Sequence, residues 1–305
     1  MIRTQKVRLY PNRTMKKALD DLCDYRRYCW NAGLALWNDM YDSSLILEDK
    51  KLSPTEHKVR DEMVANKADW QYRLSARCLQ LAIHDLGQAW EKFFDKSQIN
   101  WGKPHFKSKK DPRQGFKTDR AKIVNGKLRL DKSHGIKKWY DIRFEGAKSL
   151  AGSLKVVLIY RENGKYWASF PIEVNVETKV KSGAKTAVDV NVGHLNYTEG
   201  KVATLPDNLK HLYKRIKYYQ RVLAKKRMVN GKQTTGSHNY VKTRAKLQRD
   251  YCKVTNIQHD IMQKFTTMLV KKYDKIVIED LAVKEMQMTH VASKGLQRSM
   301  FGYFR

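Results

Sequence analysis

Between Leu209 and Arg249 the chain carries thirteen Lys or Arg and not one Asp or Glu. A helix of that make-up has no acid with which to form i,i+4 pairs, so its charge looks outward for an anion while its apolar residues seek a core. The stretch lies between two apolar runs that each hold a carboxylate, AVDVNVGHLNYTEG before it and YDKIVIEDLAV after it. The order hairpin, helices, strand is that of an incomplete α/β domain. A basic helical segment between two acidic strands points to a polyanion held beside an acidic pair.

Composition agrees. Lys plus Arg total 61 against 31 acids, a net charge of +30 in 305 residues, with a pI near 9.9. Excess charge of this size repels itself and is most simply offset by nucleic-acid phosphates. A membrane is the weaker partner, because no apolar run reaches the ~18 residues of a spanning helix and MIRTQKVRLYP has no apolar signal region. The four cysteines (Cys23, Cys29, Cys78, Cys252) make no CxxC pair, which argues against a zinc ribbon or a disulfide framework. They read as small buried hydrophobes of a reducing cytosol.

TQKVRLYP alternates, with Val7 and Leu9 on one side, and Pro11 stops it as a strand. Asn12 or Thr14 can cap a helix with Ala18, Leu22, Tyr25, Cys29, Ala32 and Leu36 at helical spacing. Ser75 can cap another, with Leu79, Ile83, Leu86, Trp90 and Phe93 on one face. Residues 12 to about 100 thus read as a helical unit inserted after a lone strand. From Gly102 a basic loop leads into short strands punctuated by Asn125-Gly126, His134-Gly135 and Asn163-Gly164. LKVVLIYRENGKYWASFPIEV is the clearest hairpin. The first strand and these later ones could close a small barrel. After the linker KSGAK come a buried-type strand (Val188, Val190, Val192), a helix with Leu209, Leu212, Ile216, Tyr219 and Leu223 inward, and a second helix near 240–272. Leu247, Tyr251, Val254, Ile257, Ile261 and Met268 form the inward face of that second helix.

Asp189 lies inside a Val-rich strand and Glu279 ends KIVIE. Carboxylates on adjacent strands suit oxygen-seeking divalent ions such as Mg²⁺. The residue types fit equally a plainer role, Asp189 capping a turn and Glu279 pairing a lysine. Asp280 falls on the other face, as a loop or cap residue.

With those motifs in view, the chain resembles the TnpB family, the RNA-guided nucleases of bacterial insertion sequences. AVDVNVGHLNYTEG and IVIEDLAVKEM look like its first and second RuvC motifs. KVRLYPN, RRYCWNAGLAL, LQLAIHDLGQAWEKFF, GKPHFKSKKDPRQGF, GKYWASF and GSHNYVKTRAKLQRDYCKVTN follow in the family's order, so the likeness runs through the whole chain. It implies an α+β multidomain fold: a WED-like β-barrel (1–11 and 102–182), a helical REC-like insertion (12–101) and a RuvC/RNase H-like α/β domain (183–305). Departures are informative. The family continues with a zinc ribbon and a third acidic motif, neither of which is present here, and its Arg and His after TN appear as Gln258 and Gln263. The resemblance therefore implies a nuclease-inactive, TldR-like repressor whose acidic pair Asp189 and Glu279 is vestigial. The alternative is a Mg²⁺-dependent endonuclease with a reduced site.

The resemblance also implies partners: a guide RNA with a structured scaffold and a double-stranded DNA target. The protein would be a monomer in the bacterial cytoplasm, at the nucleoid, needing no cofactor and binding Mg²⁺ weakly at most. Phosphate contacts fall to Lys210, Lys214, Arg215, Lys217, Arg221, Lys225, Lys226 and Arg227 on the acid-free helix. The loop Lys103, Lys107, Lys109, Lys110 and Arg113 joins them, although loop lysines also serve solubility. Arg77, Gln80 and Lys117 match positions implied in reading the short DNA motif beside the target. Gln80 has the amide for a bidentate contact with adenine. Trp70, Trp90 and Trp101 read as core residues.

Overall fold

The computed structural model describes residues 2–95, 97, 101–131, 141–146, 154–173, 181–229, 232–233, 235–282, 285–286 and 293–304. Two compact units make up the chain, Met1–Val176 and Glu177–Arg305.

In the first unit, strand β1 (Ile2–Tyr10) ends before Pro11, and Asn12 caps α1 (Arg13–Ile46) by accepting a 2.9 Å bond from the Met15 N–H. At 1.5 Å per residue α1 is about 50 Å long. Its buried face is wider than the spacing predicts, adding Leu19, Cys23, Trp30, Leu34 and Trp37, because α1 packs against a sheet on one side and helices on the other. Helices α2 (Glu56–Ala65) and α3 (Ala76–Phe94) follow. Ser75 precedes α3 without capping it; its hydroxyl instead donates to Asp131, 2.7 Å away.

Strands β2 (Arg113–Thr118), β3 (Lys122–Val124), β4 (Lys127–Arg129), β5 (Asp141–Glu145), β6 (Val157–Glu162) and β7 (Lys165–Glu173) join β1 in a seven-stranded antiparallel sheet, ordered β2-β6-β7-β1-β5-β4-β3. The β3–β4 and β6–β7 hairpins turn through Asn125-Gly126 (φ 49°, 68°) and Asn163-Gly164 (φ 52°, 70°), the left-handed pair that a two-residue turn requires. The turn read at 134–135 lies outside the described residues. Val7 and Leu9 are buried as the alternation requires, in one apolar core shared by the sheet, α1 and α3. Strand β2 approaches β6 so closely that a Cβ on Gly115 would sit 2.6 Å from the Ile159 carbonyl oxygen.

In the second unit β8 (Lys185–Asn191), β9 (His194–Tyr197) and β10 (Gly200–Ala203) form a meander. Helix α4 (Asp207–Arg227), a ribbon of β11 (Met228–Val229) and β12 (Lys232–Gln233), and α5 (His238–Lys272) lead to β13 (Lys275–Ile278), which pairs parallel to β8. Ser237 caps α5. The sheet order is β10-β9-β8-β13, and the short helices Ser293–Ser299 and Phe301–Phe304 follow.

The expected burial in this unit needs two corrections. Strand β8 is not wholly buried: Val188 is inside, but Asp189 is exposed and Val192, just past the strand, is 44% exposed. On α5, Tyr251 is 43% exposed, and the inward face runs through Val254, Gln258, Met262, Phe265 and Leu269. The first half of α5 packs on α4 and the second half on the sheet, and meeting two partners rotates the apolar stripe along the helix.

Candidate nucleic-acid interface

Helix α4 buries Leu209, Leu212 and Ile216, so its cations stand on the remaining faces. Helix α5 runs back along it, since Arg215 meets Asp250 (3.0 Å), Gln220 meets Tyr251 (2.7 Å) and Lys226 meets Thr243 (3.3 Å). Among the described residues two of the eight predicted cations, Arg215 and Lys210, are therefore seen paired with acids, contrary to the expectation that none has a partner. Arg215 holds the buried Asp250, and Lys210 reaches Asp207 at 2.9 Å. Both acids lie just outside the acid-free stretch, one before it and one after it. Arg215 is accordingly a structural residue as much as a surface cation. Lys214, Lys217, Arg221, Lys225 and Arg227 have no acidic partner among the described residues. Lys242, Arg244, Lys246 and Arg249 add exposed charge on the first half of α5. The sequence reading counted these four in the basic stretch without placing them on the surface.

The register sets the acidic residues at neighbouring positions past the last paired residues of two adjacent strands. Val188 is opposite Ile278 in the parallel β8–β13 pair, and Asp189 and Glu279 are the next residues on each chain. The alternation that buries Val188 points Asp189 to the open face, and Glu279 is exposed as well. Asn191 (2.6 Å) and Asn196 (3.2 Å) both donate to one oxygen of Asp189. The donor set suits a hard divalent ion, to which two carboxylates would give part of an octahedral oxygen shell. Among the described residues no group of three or more His, Cys, Asp or Glu gathers here or elsewhere.

In the first unit the basic loop is strapped to α1. Trp30 donates to the His105 carbonyl (3.0 Å), and Asn31 both accepts from the Lys107 N–H (2.8 Å) and donates to its carbonyl (3.0 Å). Lys103, Lys109, Lys110 and Arg113 remain exposed, but Lys107 turns inward over the Trp30 ring, 3.7 Å from its centre. Burial pushes the Lys107 ammonium down to about 8, helped by the charges of Arg26 and Lys117. Arg113 stacks on Tyr160 at 3.7 Å.

Arg77, Gln80 and Lys117 share one seam between α3 and β2, though each also has a partner within the fold. Arg77 donates to Gln80 (2.5 Å) and to both oxygens of Asp119, holding that carboxyl below its usual range. Lys117 meets Asp85 at 2.6 Å, and the same carboxylate takes Arg26 at 2.7 Å. Trp90 is core, as predicted, whereas Trp70 and Trp101 are 45% and 50% exposed. Trp70 packs edge-on against Tyr25 and Tyr28, and Lys92 lies over Trp101.

The geometry defines a basic two-unit protein with an outward row of cations on α4 and an acidic strand pair, and known proteins supply its family. Residues 169–289 match the probable transposase encoded as OrfB of IS605, and residues 1–44 match the helix-turn-helix segment of the same family. Here that second segment is β1 followed by one uninterrupted helix. Over 230 residues the chain is 28% identical to the putative RNA-guided DNA endonuclease InsQ of Escherichia coli K12, covering 73% of this chain and 52% of InsQ. Over 212 residues it is 26% identical to a putative RNA-guided DNA endonuclease of Streptomyces pristinaespiralis, covering 68% and 50% of the two chains. The chain belongs to the TnpB family. It spans about half the length of the curated relatives it matches. None of its described helices is long and apolar enough to cross a membrane.

Proposed function

We propose that this chain grips a guide RNA and, through it, occupies a matching DNA duplex. The observation that carries the reading is the face of α4, where Lys214, Lys217, Arg221, Lys225 and Arg227 stand without acids among the described residues. Phosphates are the anions that match such a row. The relatives, named putative RNA-guided DNA endonucleases, support both partners. In this reading the first unit corresponds to the WED-like strands with their REC-like helices, the second to a RuvC-like domain. Lys103, Lys109, Lys110 and Arg113 add phosphate contacts, and Gln80, oriented by Arg77, reads the flanking motif.

Asp189 and Glu279 alone bind rather than cut. In-line cleavage needs both the attacking and the leaving oxygen clamped by metal, and two carboxylates supply too few ligands for that. A guide-matched site held without cleavage would exclude polymerase and repress transcription. A second reading, Mg²⁺-dependent cleavage, draws support from the register that ends with Val188 opposite Ile278, one residue before each acid, and from the relatives' names.

The test uses the protein purified with co-expressed RNA, offered guide-matched duplex and Mg²⁺. We expect guide-dependent retention without strand breaks, and Asp189→Ala should change occupancy less than twofold. Strand breaks that disappear in Asp189→Ala would establish the second reading. RNA retained without any DNA binding would leave an RNA-binding protein alone.

A further inference from the structure

A cleft of about 280 Å³ opens in the first unit where α1, α3, β2 and the basic loop meet. That is just below the ~300–1,000 Å³ of small-molecule sites, so it suits one small group rather than an extended ligand. Its lining holds five cations (Arg26, Arg27, Lys107, Arg113, Lys117) against two acids, Asp85 and Asp111. Asp85 is already shared by Arg26 and Lys117, and Asp111 accepts from the Ser108 N–H at 2.9 Å. Arg27 pairs with Asp24 at 2.7 Å, so the charge left unbalanced among the described residues is that of Lys107 and Arg113, which stand on the rings of Trp30 and Tyr160.

One group marks the deficit. Arg26 is only 7% exposed, and its Nη1 is buried with no hydrogen-bond partner among the described residues. A guanidinium donates five N–H bonds and accepts none, so only an acceptor can satisfy that nitrogen. Lys107 stands in the same cleft on the Trp30 ring. Lys117 spends one of its three donors on Asp85. An anion has donors converging on it from α1, the loop and β2.

We propose that this cleft seats one backbone phosphate of a bound nucleic acid, with Arg26, Lys107 and Lys117 as its donors. The inference rests on the nucleic-acid-binding reading above and adds a site remote from α4 in sequence. A phosphate gives Lys107 a further counter-charge beside Arg26 and Lys117, where Asp85 and Asp111 are the acids that line the cleft among the described residues. Binding near pH 8.5 then takes up a proton.

The test compares the full chain with Lys107→Met, which keeps the aliphatic stem over Trp30, and Lys107→Arg, which keeps the charge. Affinities for the guide RNA and for guide-matched duplex are measured against salt. For one of the two polymers, Lys107→Met should lower the slope of log K against log salt by about 0.9 if the phosphate belongs to duplex DNA, or about 0.7 if to a single strand. Lys107→Arg should restore it. Proton uptake, read by calorimetry at pH 8.5 in two buffers, should vanish in Lys107→Met. Unchanged slopes for both polymers in folded Lys107→Met would overturn the seat. The double variant Lys214→Glu with Arg221→Glu separates the two levels. If it lowers a slope while Lys107→Met does not, only the seat fails; if neither variant acts, the nucleic-acid reading fails with it.

Discussion

In the N-terminal unit Arg26 and Lys117 share Asp85, Arg77 clasps Asp119, Arg129 meets Asp141 and Arg161 meets Asp20. On α4 of the other unit, five cations in a single helix have no such acid among the described residues. The first set builds structure, because each pair ties two elements of the unit together: Arg26–Asp85 joins two helices, Lys117–Asp85 and Arg161–Asp20 a helix to a strand, Arg77–Asp119 a helix to the turn after β2, and Arg129–Asp141 two strands. The second set contributes nothing internal and raises the energy of the free protein until an external anion arrives. A count of charges along the sequence treats the two sets alike. Pairing in three dimensions separates them.

Removing an acid should expose the difference most strongly. Asp85→Ala leaves Arg26 and Lys117 without their counter-ion in a site where the Arg26 and Asp85 side chains are only 9% and 13% exposed. Breaking a buried pair in this way costs about 3–5 kcal/mol, so a denaturant melt should show a loss in that range. On α4 the opposite should hold. Lys214→Glu with Arg221→Glu should leave the melt within about 0.5 kcal/mol, as surface changes do. The same variant should weaken RNA retention at least tenfold, about 1.4 kcal/mol, and flatten its salt dependence. A destabilised double variant with unchanged RNA affinity would break the comparison.

The smallest effect sharpens it. The Lys107 ammonium is lowered to about 8 in the fold, from an ordinary value near 10.5. Between those two values the unfolded chain binds more protons than the folded one, so stability should rise with pH across that window. Below pH 8 the burial penalty is fully present. Urea titrations at several pH values should show this rise in the wild-type chain and a flatter profile in Lys107→Met.

Much of the scaffold was legible in the sequence. Pro11 and Asn12 mark a strand end and a helix start, and the two Asn-Gly pairs mark hairpins, because each signal is local and steric. The acidic pair was legible as residue types, but its placement at neighbouring positions depended on the parallel register of strands far apart in sequence. Burial on α5 was misread at Tyr251, since a helix with two packing partners has no single apolar phase. Asp250 was missed as a partner because a linear charge run ends where a helix hairpin can still fold an acid back onto it. Lys107 was legible as a loop cation, but its inward turn depends on Trp30 and Asn31, which lie in α1.

The β8–β13 pairing also has a consequence for synthesis. Val188 must wait for Ile278, roughly 90 residues later, before that side of its strand is hydrogen-bonded. At ~5–20 residues per second, the ribosome takes about 4.5–18 s to deliver the partner. For that interval β9 guards one edge of the nascent strand, and the edge that β13 will pair with waits for its partner. Lys185 at its start and the outward Asp189 set charge along the waiting strand, the usual protection against pairing with the wrong chain.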